Sequence, residues 1–261
     1  MNDSDLLDRV HECVGHECHF FGRCSHKGKV LQFPGVMAGI NPVTPDRSLF
    51  NGVYYQDASA LRQHYEEIAA AYRAANVRAW TVWVRVGDID TPEFLQQRGH
   101  QFDYDPVAMA CSMRDLRVPD PDDLDWEETN KLDIIGKIAD TAFEFPPPAF
   151  EAALDQLPDQ GWHAYLARFD GHVATTMLTY HSQSGDCGIA CVSTLKEYRG
   201  RQLATRLMSA VLREAEKAGM ISTSLQASPL GAGVYAKLGY RDLGRMPMWE
   251  WRDSTSNDVR R

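Results

Sequence analysis

The pattern of apolar and polar positions divides the chain after residue 130 into alternating helices and strands. Apolar residues recur at helical spacing in residues 133–143 and 203–217, so each of these helices would bury one face. Short runs rich in β-branched and aromatic residues indicate strands, which glycines and prolines separate. In chain order the pattern predicts two helices, three strands, a long helix, a strand, a short helix and a last strand, at residues 133–143, 149–157, 162–169, 173–180, 187–194, 203–217, 221–227, 233–238 and 240–251.

The first part of the chain repeats this plan more faintly. A helix is predicted at 58–75 and a strand at 79–84, followed by residues 94–100 and a strand that reaches residue 113. Residues 94–100 read F-L-Q-Q-R-G-H, and residues 234–240 read V-Y-A-K-L-G-Y. Internal similarity of this kind favours a duplication, although the same order of helices and strands can also arise independently.

A change of composition separates the two parts. Residues 114–124 read R-D-L-R-V-P-D-P-D-D-L, in which two prolines and a run of acids break any regular element. We therefore predict a first domain at 1–115, a linker at 116–125, a second domain at 126–252 and a polar tail at 253–261.

Composition and charge narrow the classes of function. Of the 261 residues 44% are hydrophobic and 24% charged, and the formal net charge is −9. These values fit a globular protein. The negative charge argues against general binding of nucleic acid, whose phosphates require a basic face, and would suit a cationic amine. We find no signal peptide and no apolar run that could span a bilayer, so we expect a cytoplasmic protein without membrane partners, whose six cysteines are reduced thiols.

Residues 191–205 carry the strongest chemical signal. They run from a β-like segment through a turn that contains Gly200 directly into an amphipathic helix. This geometry directs backbone N–H groups and the positive end of a helix dipole at one point, which suits a phosphate or pyrophosphate. From residue 192 the segment reads V-S-T-L-K-E-Y-R-G-R-Q-L-A-T. It resembles the acetyl-CoA-binding motif V-A-T-L-P-E-x-R-G-R-G-L-G-T of GNAT-type N-acetyltransferases.

The resemblance implies a GNAT-like α/β (α+β) fold, in which helices flank a mixed and mostly antiparallel central sheet. It is strong over residues 126–251 and weaker over 30–113, so the second domain would be a complete acetyltransferase domain and the first a degenerate, partial copy. The alternative for the turn alone is an ordinary helix start with solvated arginines.

The same resemblance implies which groups hold acetyl-CoA. The strand before the turn would pair with the pantetheine arm, and a backbone N–H near Val192 would polarise the thioester carbonyl. Gln202 departs from the family pattern, which has glycine at this position. The implied cofactor-binding residues are Val192, Ser193, Thr194, Arg199, Gly200, Arg201, Gln202, Leu203, Ala204, Thr205 and Ser228.

A second segment points to the other end of the same cofactor. Residues 228–240 read S-P-L-G-A-G-V-Y-A-K-L-G-Y and resemble the family's S-P-x-G-x-x-x-Y-x-x-L-G-F. Tyr235 matches the tyrosine that protonates the departing thiolate, and the alternative is a half-buried aromatic residue on a short helix. For the general base we name Glu144 as the candidate, with Asp186, Glu197 or a chain of water molecules as alternatives.

The N-terminal part lacks both halves of this site. Gln56, Asp57, Ala58 and Ser59 stand where residues 199–202 stand in the second copy, and Asp57 would repel a pyrophosphate. Leu95 stands opposite Tyr235, so the hydroxyl is also missing. We expect one acetyl-CoA site, with the N-terminal part serving as packing or as one wall of the substrate pocket.

A cluster of cysteines and histidines near the N-terminus lies outside this interpretation. Zinc takes four nitrogen or sulfur ligands in short paired spacings, but the cluster holds no C-x-x-C pair. We therefore predict a helix at 6–14 followed by a polar loop, with the cysteines packed as small apolar groups and no metal, and we keep a zinc module as the alternative. The cluster comprises His11, Cys13, His16, Cys18, His19, Cys24 and His26.

The sequence thus predicts an acetyl-CoA-dependent N-acetyltransferase. It would transfer the acetyl group directly to an amine in a ternary complex, with a small molecule favoured over a protein as acceptor and a homodimer left open. The alternative from another class is a non-catalytic acyl-CoA-binding or regulatory protein, which the departure at Gln202 motivates.

Overall fold

The computed structural model describes residues 1–121, 123–158 and 161–254, with the backbone alone at Leu230. Residues 255–261 of the predicted polar tail lie outside the described residues. The helices are α1 Asp3–Arg23, α2 Ala58–Ala74, α3 Thr91–Gln96, α4 Leu132–Phe143, α5 Phe150–Ala153, α6 Leu203–Lys217 and α7 Pro229–Lys237. The strands are β1 Lys29–Phe33, β2 Val36–Ile40, β3 Gly52–Tyr55, β4 Ala79–Trp83, β5 Gln101–Tyr104, β6 Val107–Ser112, β7 Trp126–Glu128, β8 Trp162–Phe169, β9 His172–His181, β10 Asp186–Thr194, β11 Ser222–Ala227, β12 Arg241–Arg245 and β13 Met248–Arg252.

The strands form two mixed, mostly antiparallel sheets with helices against them. Sheet A has the order β1-β2-β3-β4-β13-β5, and sheet B the order β12-β6-β11-β10-β9-β8-β7. Each sheet holds one parallel pair joined by a helix: β3 and β4 through α2, and β10 and β11 through α6. The predicted fold class is confirmed, and the same strand–helix–strand unit occurs in both sheets.

The two sheets exchange strands. β6, from the first part of the chain, pairs with β11 and β12 in sheet B, while the last strand β13 pairs with β4 and β5 in sheet A. The prediction of one strand over residues 240–251 is therefore wrong. Pro247, which has no N–H to donate, lies between β12 and β13, and Gly244 at φ +119° lies in the irregular last part of β12. Neither sheet is made from one continuous stretch of chain.

Helix α1 packs between the two sheets. Leu6, Val10 and Val14 have no exposed surface and form one apolar stripe, which continues through the buried Cys18. At Cys18 the helix backbone approaches β2 so closely that a Cβ on Gly39 would lie 1.9 Å from the Cys18 carbonyl oxygen. The predicted polar loop after residue 14 is therefore wrong, because burial of this stripe extends the helix to Arg23.

Two shorter predictions also need correction. The helix predicted at 149–157 ends at Ala153, because the amides of Asp155 and Gln156 donate instead to the carbonyl oxygen of Cys24, at 2.7 and 3.0 Å. Helix α7 begins four residues before the predicted 233, since the Ser228 hydroxyl caps it by accepting from the Gly231 amide. The long helices predicted at 133–143 and 203–217 are confirmed.

Candidate active site

Strands β10 and β11 separate halfway along their length. They pair from Asp186 and Ser222 as far as Ile189 and Leu225, and beyond that point β11 continues alone along β6. β10 stays attached to β9 through a bulge between Ala190 and Ser193. Among the described residues, no strand pairs with the edge of β10 that faces β11 over residues 190–194, so its N–H and C=O groups there can receive an extended ligand.

The bulge carries backbone strain at the centre of this gap. Cys191 adopts a left-handed conformation, with φ +53°. The Thr175 hydroxyl holds the far side of the bulge by donating to the Ser193 carbonyl at 2.7 Å. A bulge re-aims the backbone beside it, so the N–H groups on either side of Cys191 no longer follow the ladder. The structure therefore puts an irregular backbone at Val192, where the sequence predicts the group that polarises a carbonyl.

The turn from residue 199 to 205 follows directly and ends in α6. Gly200 has φ +79°, with open space where a Cβ would stand. Gln202 is the N-cap of α6 at φ +59°, without a side-chain cap. This left-handed conformation explains why glycine suits the position, since any other residue pays a steric cost there. The first amides of α6 have no acceptor within the helix, so the turn presents them to solvent.

Both arginines of the turn are engaged within the protein. Arg199 donates through Nε to the Thr194 carbonyl at 3.1 Å and through its terminal nitrogen to the Ala142 carbonyl at 2.7 Å. The Arg201 guanidinium lies over the Phe169 ring, 4.5 Å from its centre. The arginines therefore brace the turn, and the first backbone amides of α6 are the groups of this turn that can bind an anion.

A cavity of about 270 Å³ opens where β10 and β11 separate. Residues of the bulge and of the end of β11 line one side, and they are joined by Ser228 and Tyr235 of the next segment. Further lining residues come from the N-terminal part, among them Glu17 of α1 and Trp83 of β4. The cavity therefore brings Val192 of the segment 191–205 together with Ser228 and Tyr235 of the segment 228–240, and both parts of the chain contribute to it.

Tyr235 lies on α7 beside this cavity, with its ring 5.8 Å from that of Tyr240. Burial raises the pKa of its hydroxyl to about 12, so the phenol stays protonated at neutral pH. A protonated hydroxyl at the mouth of the β10–β11 gap can donate a proton or a hydrogen bond.

Glu17 is a candidate functional residue that the sequence alone did not identify. It lies on α1 and lines the cavity, and burial raises the pKa of its carboxyl from 4.5 to about 8. The weak donor within reach is the Cys13 thiol, 3.8 Å from Oε1. A signal was present in the sequence: Cys13 and Phe21, one turn before and after Glu17, are both buried, so the glutamate shares an apolar face of α1.

The three carboxylates named from the sequence lie elsewhere. Glu144 ends α4 in a left-handed conformation and is exposed, although its neighbours Phe143 and Phe145 line the cavity. Glu197 is exposed on the turn. Asp186 is buried at the start of β10 and accepts hydrogen bonds from Ser222 and Ser224, both at 2.6 Å, a structural arrangement. Glu17 lines the cavity and Glu144 does not, so the structure adds Glu17 as a second candidate for the base.

The cysteine and histidine cluster spreads over several sides of α1. Cys13 packs under Gly188, the Cys24 thiol donates to the Ala153 carbonyl at 2.9 Å, and His26 pairs with Asp155 at 2.6 Å. Within residues 1–121, 123–158 and 161–254, three or more His, Cys, Asp or Glu side chains nowhere come together as metal ligands. The geometry therefore gives the alternative of a zinc module no ligand set in the described chain.

In sheet A, the space between β3 and β4 that corresponds to the β10–β11 separation is bridged by side-chain hydrogen bonds. The Tyr55 hydroxyl donates to Asp88 at 2.6 Å and accepts from the Arg85 amide at 3.2 Å, which bridges β3 to the segment after β4. At the start of α2 the Asp57 carboxylate accepts from the Ser59 amide at 2.8 Å. A negative charge thus occupies the N-terminus of α2, the helix that corresponds to α6, and would repel a phosphate there.

Comparison with known families gives this arrangement an identity. The sequence profile of the Acetyltransferase (GNAT) family matches residues 124–240, which hold the open strand β10, the turn, α6 and Tyr235. Residues 124–240 form a GNAT domain. The family predicted from the two motifs is confirmed, and a search of curated proteins finds no significant sequence match to the chain.

Solved structures resemble the chain over most of its length. A GCN5-related N-acetyltransferase from Kribbella flavida is 17% identical, with a TM-score of 0.64 and 95% of each chain covered. One from Sphaerobacter thermophilus is 19% identical at a TM-score of 0.61, over 86% of this chain and 79% of its own. A tandem GNAT protein from the clavulanic acid biosynthesis pathway is 14% identical at a TM-score of 0.56, over 85% and 79%. At these identities the likeness shows the fold, which here extends beyond the GNAT domain.

In the described chain no helix is both long and apolar enough to cross a membrane.

Proposed function

We propose that the protein is an N-acetyltransferase that transfers the acetyl group of acetyl-CoA directly to an amine in a ternary complex. The observation that carries this proposal is the meeting of the β10 bulge and Tyr235 at one cavity, together with the open edge of β10 that leads from the cavity directly into the turn before α6. They match in order and position what a long ligand with a diphosphate at one end and a thioester at the other requires.

The residues present fit this ligand. The first amides of α6 and Gly200 can bind the pyrophosphate, while Val192, Ser193 and Thr194 offer a strand edge to the amides of the pantetheine arm. Their partner β11 has already turned away at this point. Ser228 lines the cavity, and its hydroxyl is occupied as the cap of α7.

Glu17 and Tyr235 can perform the two proton transfers. When bound, acetyl-CoA supplies an acetyl group whose carbonyl carbon is open to attack by an amine. Glu17 can accept the proton that the attacking nitrogen loses, and the amide near Val192 can stabilise negative charge on the carbonyl oxygen. A C–N bond forms as the C–S bond breaks, and Tyr235 can donate a proton to the departing sulfur. Its raised pKa keeps that proton available at neutral pH.

A thiol-titration assay of CoA release with a panel of amines tests this function. We expect turnover that depends on the amine, a loss of about 100-fold or more in kcat for Tyr235→Phe and Glu17→Gln, and unchanged affinity for acetyl-CoA. Tight binding of acetyl-CoA without turnover on any amine, unaltered in Tyr235→Phe, would refute catalysis and favour the non-catalytic alternative.

A further inference from the structure

We infer that the acceptor is a small primary amine on a compact apolar body, preferably an aromatic ring, with no second charge. This inference rests on the proposed function and specifies the substrate class of the same site. It depends on the cavity-lining residues that lie outside the segments 199–205 and 228–240.

Apart from the residues of β10 and β11, the cavity lining is mainly aromatic, and we call this part the aromatic wall. Its aromatic residues come from α1, β4, β5 and the segment from the end of α4 to the start of α5. Aliphatic side chains complete it, among them Leu49 before β3 and Met248 of β13. A surface of this kind gains free energy from the apolar area of a ligand and offers few partners to polar groups. The aromatic lining residues are Phe21, Trp83, Tyr104, Phe143, Phe145 and Phe150.

The charged groups of the cavity lining restrict the acceptor as strongly as its aromatic rings do. Among the described residues Glu17 is the one carboxyl group that lines the cavity, and no lysine, arginine or histidine does so. A single ammonium group can therefore be paired with Glu17, because a positive charge beside the carboxyl lowers its raised pKa and favours the carboxylate. A second ammonium, as in a diamine, or a carboxylate, as in an amino acid, would be desolvated without a counter-charge.

The size of the cavity limits the acceptor further. Its volume is about 270 Å³, and the acetyl end of bound acetyl-CoA would take part of that space. What is left suits a compact amine, such as a ring with a two-carbon arm. The amine would then extend from the aromatic wall toward Glu17 and the bulge of β10.

Three matched pairs of amines test the inference by their kcat/KM for CoA release. Adding a phenyl group, from ethylamine to 2-phenylethylamine, should raise kcat/KM about 10- to 100-fold, the value of burying an aromatic side chain. Adding a second ammonium, from butylamine to 1,4-diaminobutane, should lower it at least about tenfold. Adding a carboxylate, from 2-phenylethylamine to phenylalanine, should do the same.

The outcomes distinguish a failure of this inference from a failure of the proposed acetyltransferase function. A diamine, an amino acid or a lysine-containing peptide that reacts faster than 2-phenylethylamine would overturn the inference and leave the acetyltransferase standing. Absence of CoA release with every amine would overturn both.

A variant of the wall provides an independent test. Phe145→Ala should lower the ratio of kcat/KM for 2-phenylethylamine to that for ethylamine about fivefold or more, because the ring loses its contact while the amine keeps Glu17. Phe102→Ala removes an exposed aromatic residue of β5 that does not line the cavity and should leave the ratio unchanged. If Phe145→Ala does not fold, Phe143→Ala offers the same test, because Phe143 also lines the cavity and is 44% exposed. An unchanged ratio in both Phe145→Ala and Phe143→Ala would contradict the inference.

Discussion

Replacing Glu17 with glutamine should change how the stability of the protein depends on pH. Burial raises the pKa of this carboxyl from 4.5 to about 8. Below the lower value both the folded and the unfolded chain hold the proton. Between the two values the unfolded chain releases it while the folded chain keeps it, so the free energy of unfolding falls as the pH rises and levels off above pH 8. Glutamine has the same shape and no proton to lose, so Glu17→Gln removes this fall.

The size of the effect follows from the shift. At 1.36 kcal/mol per pKa unit a rise from 4.5 to about 8 corresponds to a loss of about 5 kcal/mol at high pH. Glu17 keeps some accessible surface, and water in the cavity beside it would reduce that loss to about 2–4 kcal/mol. Relative to the wild type, the variant should therefore gain this amount of stability between pH 5 and pH 8.5.

Urea unfolding at pH 5, 7 and 8.5 measures the difference directly. Glu144→Gln is the matched control, because that carboxyl is exposed at the end of α4. Its stability curve should run parallel to that of the wild type. Parallel curves for the wild type and Glu17→Gln would refute the argument, since the carboxyl would then titrate alike in both states. In the same samples the rise of kcat/KM toward pH 8 should be lost in Glu17→Gln if this group is the base.

Three further substitutions test separate parts of the structure. Tyr235→Phe should lower kcat about 100-fold with little change in the KM for acetyl-CoA in steady-state assays, and an unchanged kcat would remove the tyrosine from the mechanism. Gln202→Gly should relieve a left-handed conformation at φ +59°, which costs about 1 kcal/mol, and raise the free energy of urea unfolding by about that amount; a lower free energy of unfolding would contradict the explanation of the turn. Gly39→Ala would put a Cβ 1.9 Å from the Cys18 carbonyl oxygen and should cost about 3 kcal/mol or more in thermal or urea unfolding. Its control, Gly233→Ala, meets no atom within 4 Å and should stay within about 1 kcal/mol of the wild type.

The sequence predicted those features that depend on neighbouring residues. The helix at 203–217, the glycine turn before it and the strand before that are each specified within a few positions, and all three are present. The predictions failed where residues distant in sequence compete. Residues 240–251 read as one strand by composition, but Pro247 interrupts it and the two pieces pair with β6 and with β4 and β5 in different sheets.

From the sequence alone we predicted the family, the glycine turn before α6 and the position of Tyr235, because backbone conformation and short motifs are local properties. Tertiary structure decided what surrounds them. It set Arg199 and Arg201 against other parts of the chain, where they brace the turn, and it bridged β3 to the segment after β4 through Tyr55. It also brought Glu17 from α1 to a cavity built largely by residues more than a hundred positions away. Charge state and substrate fit depend on desolvation, and desolvation is set by contacts between distant residues that no local pattern records.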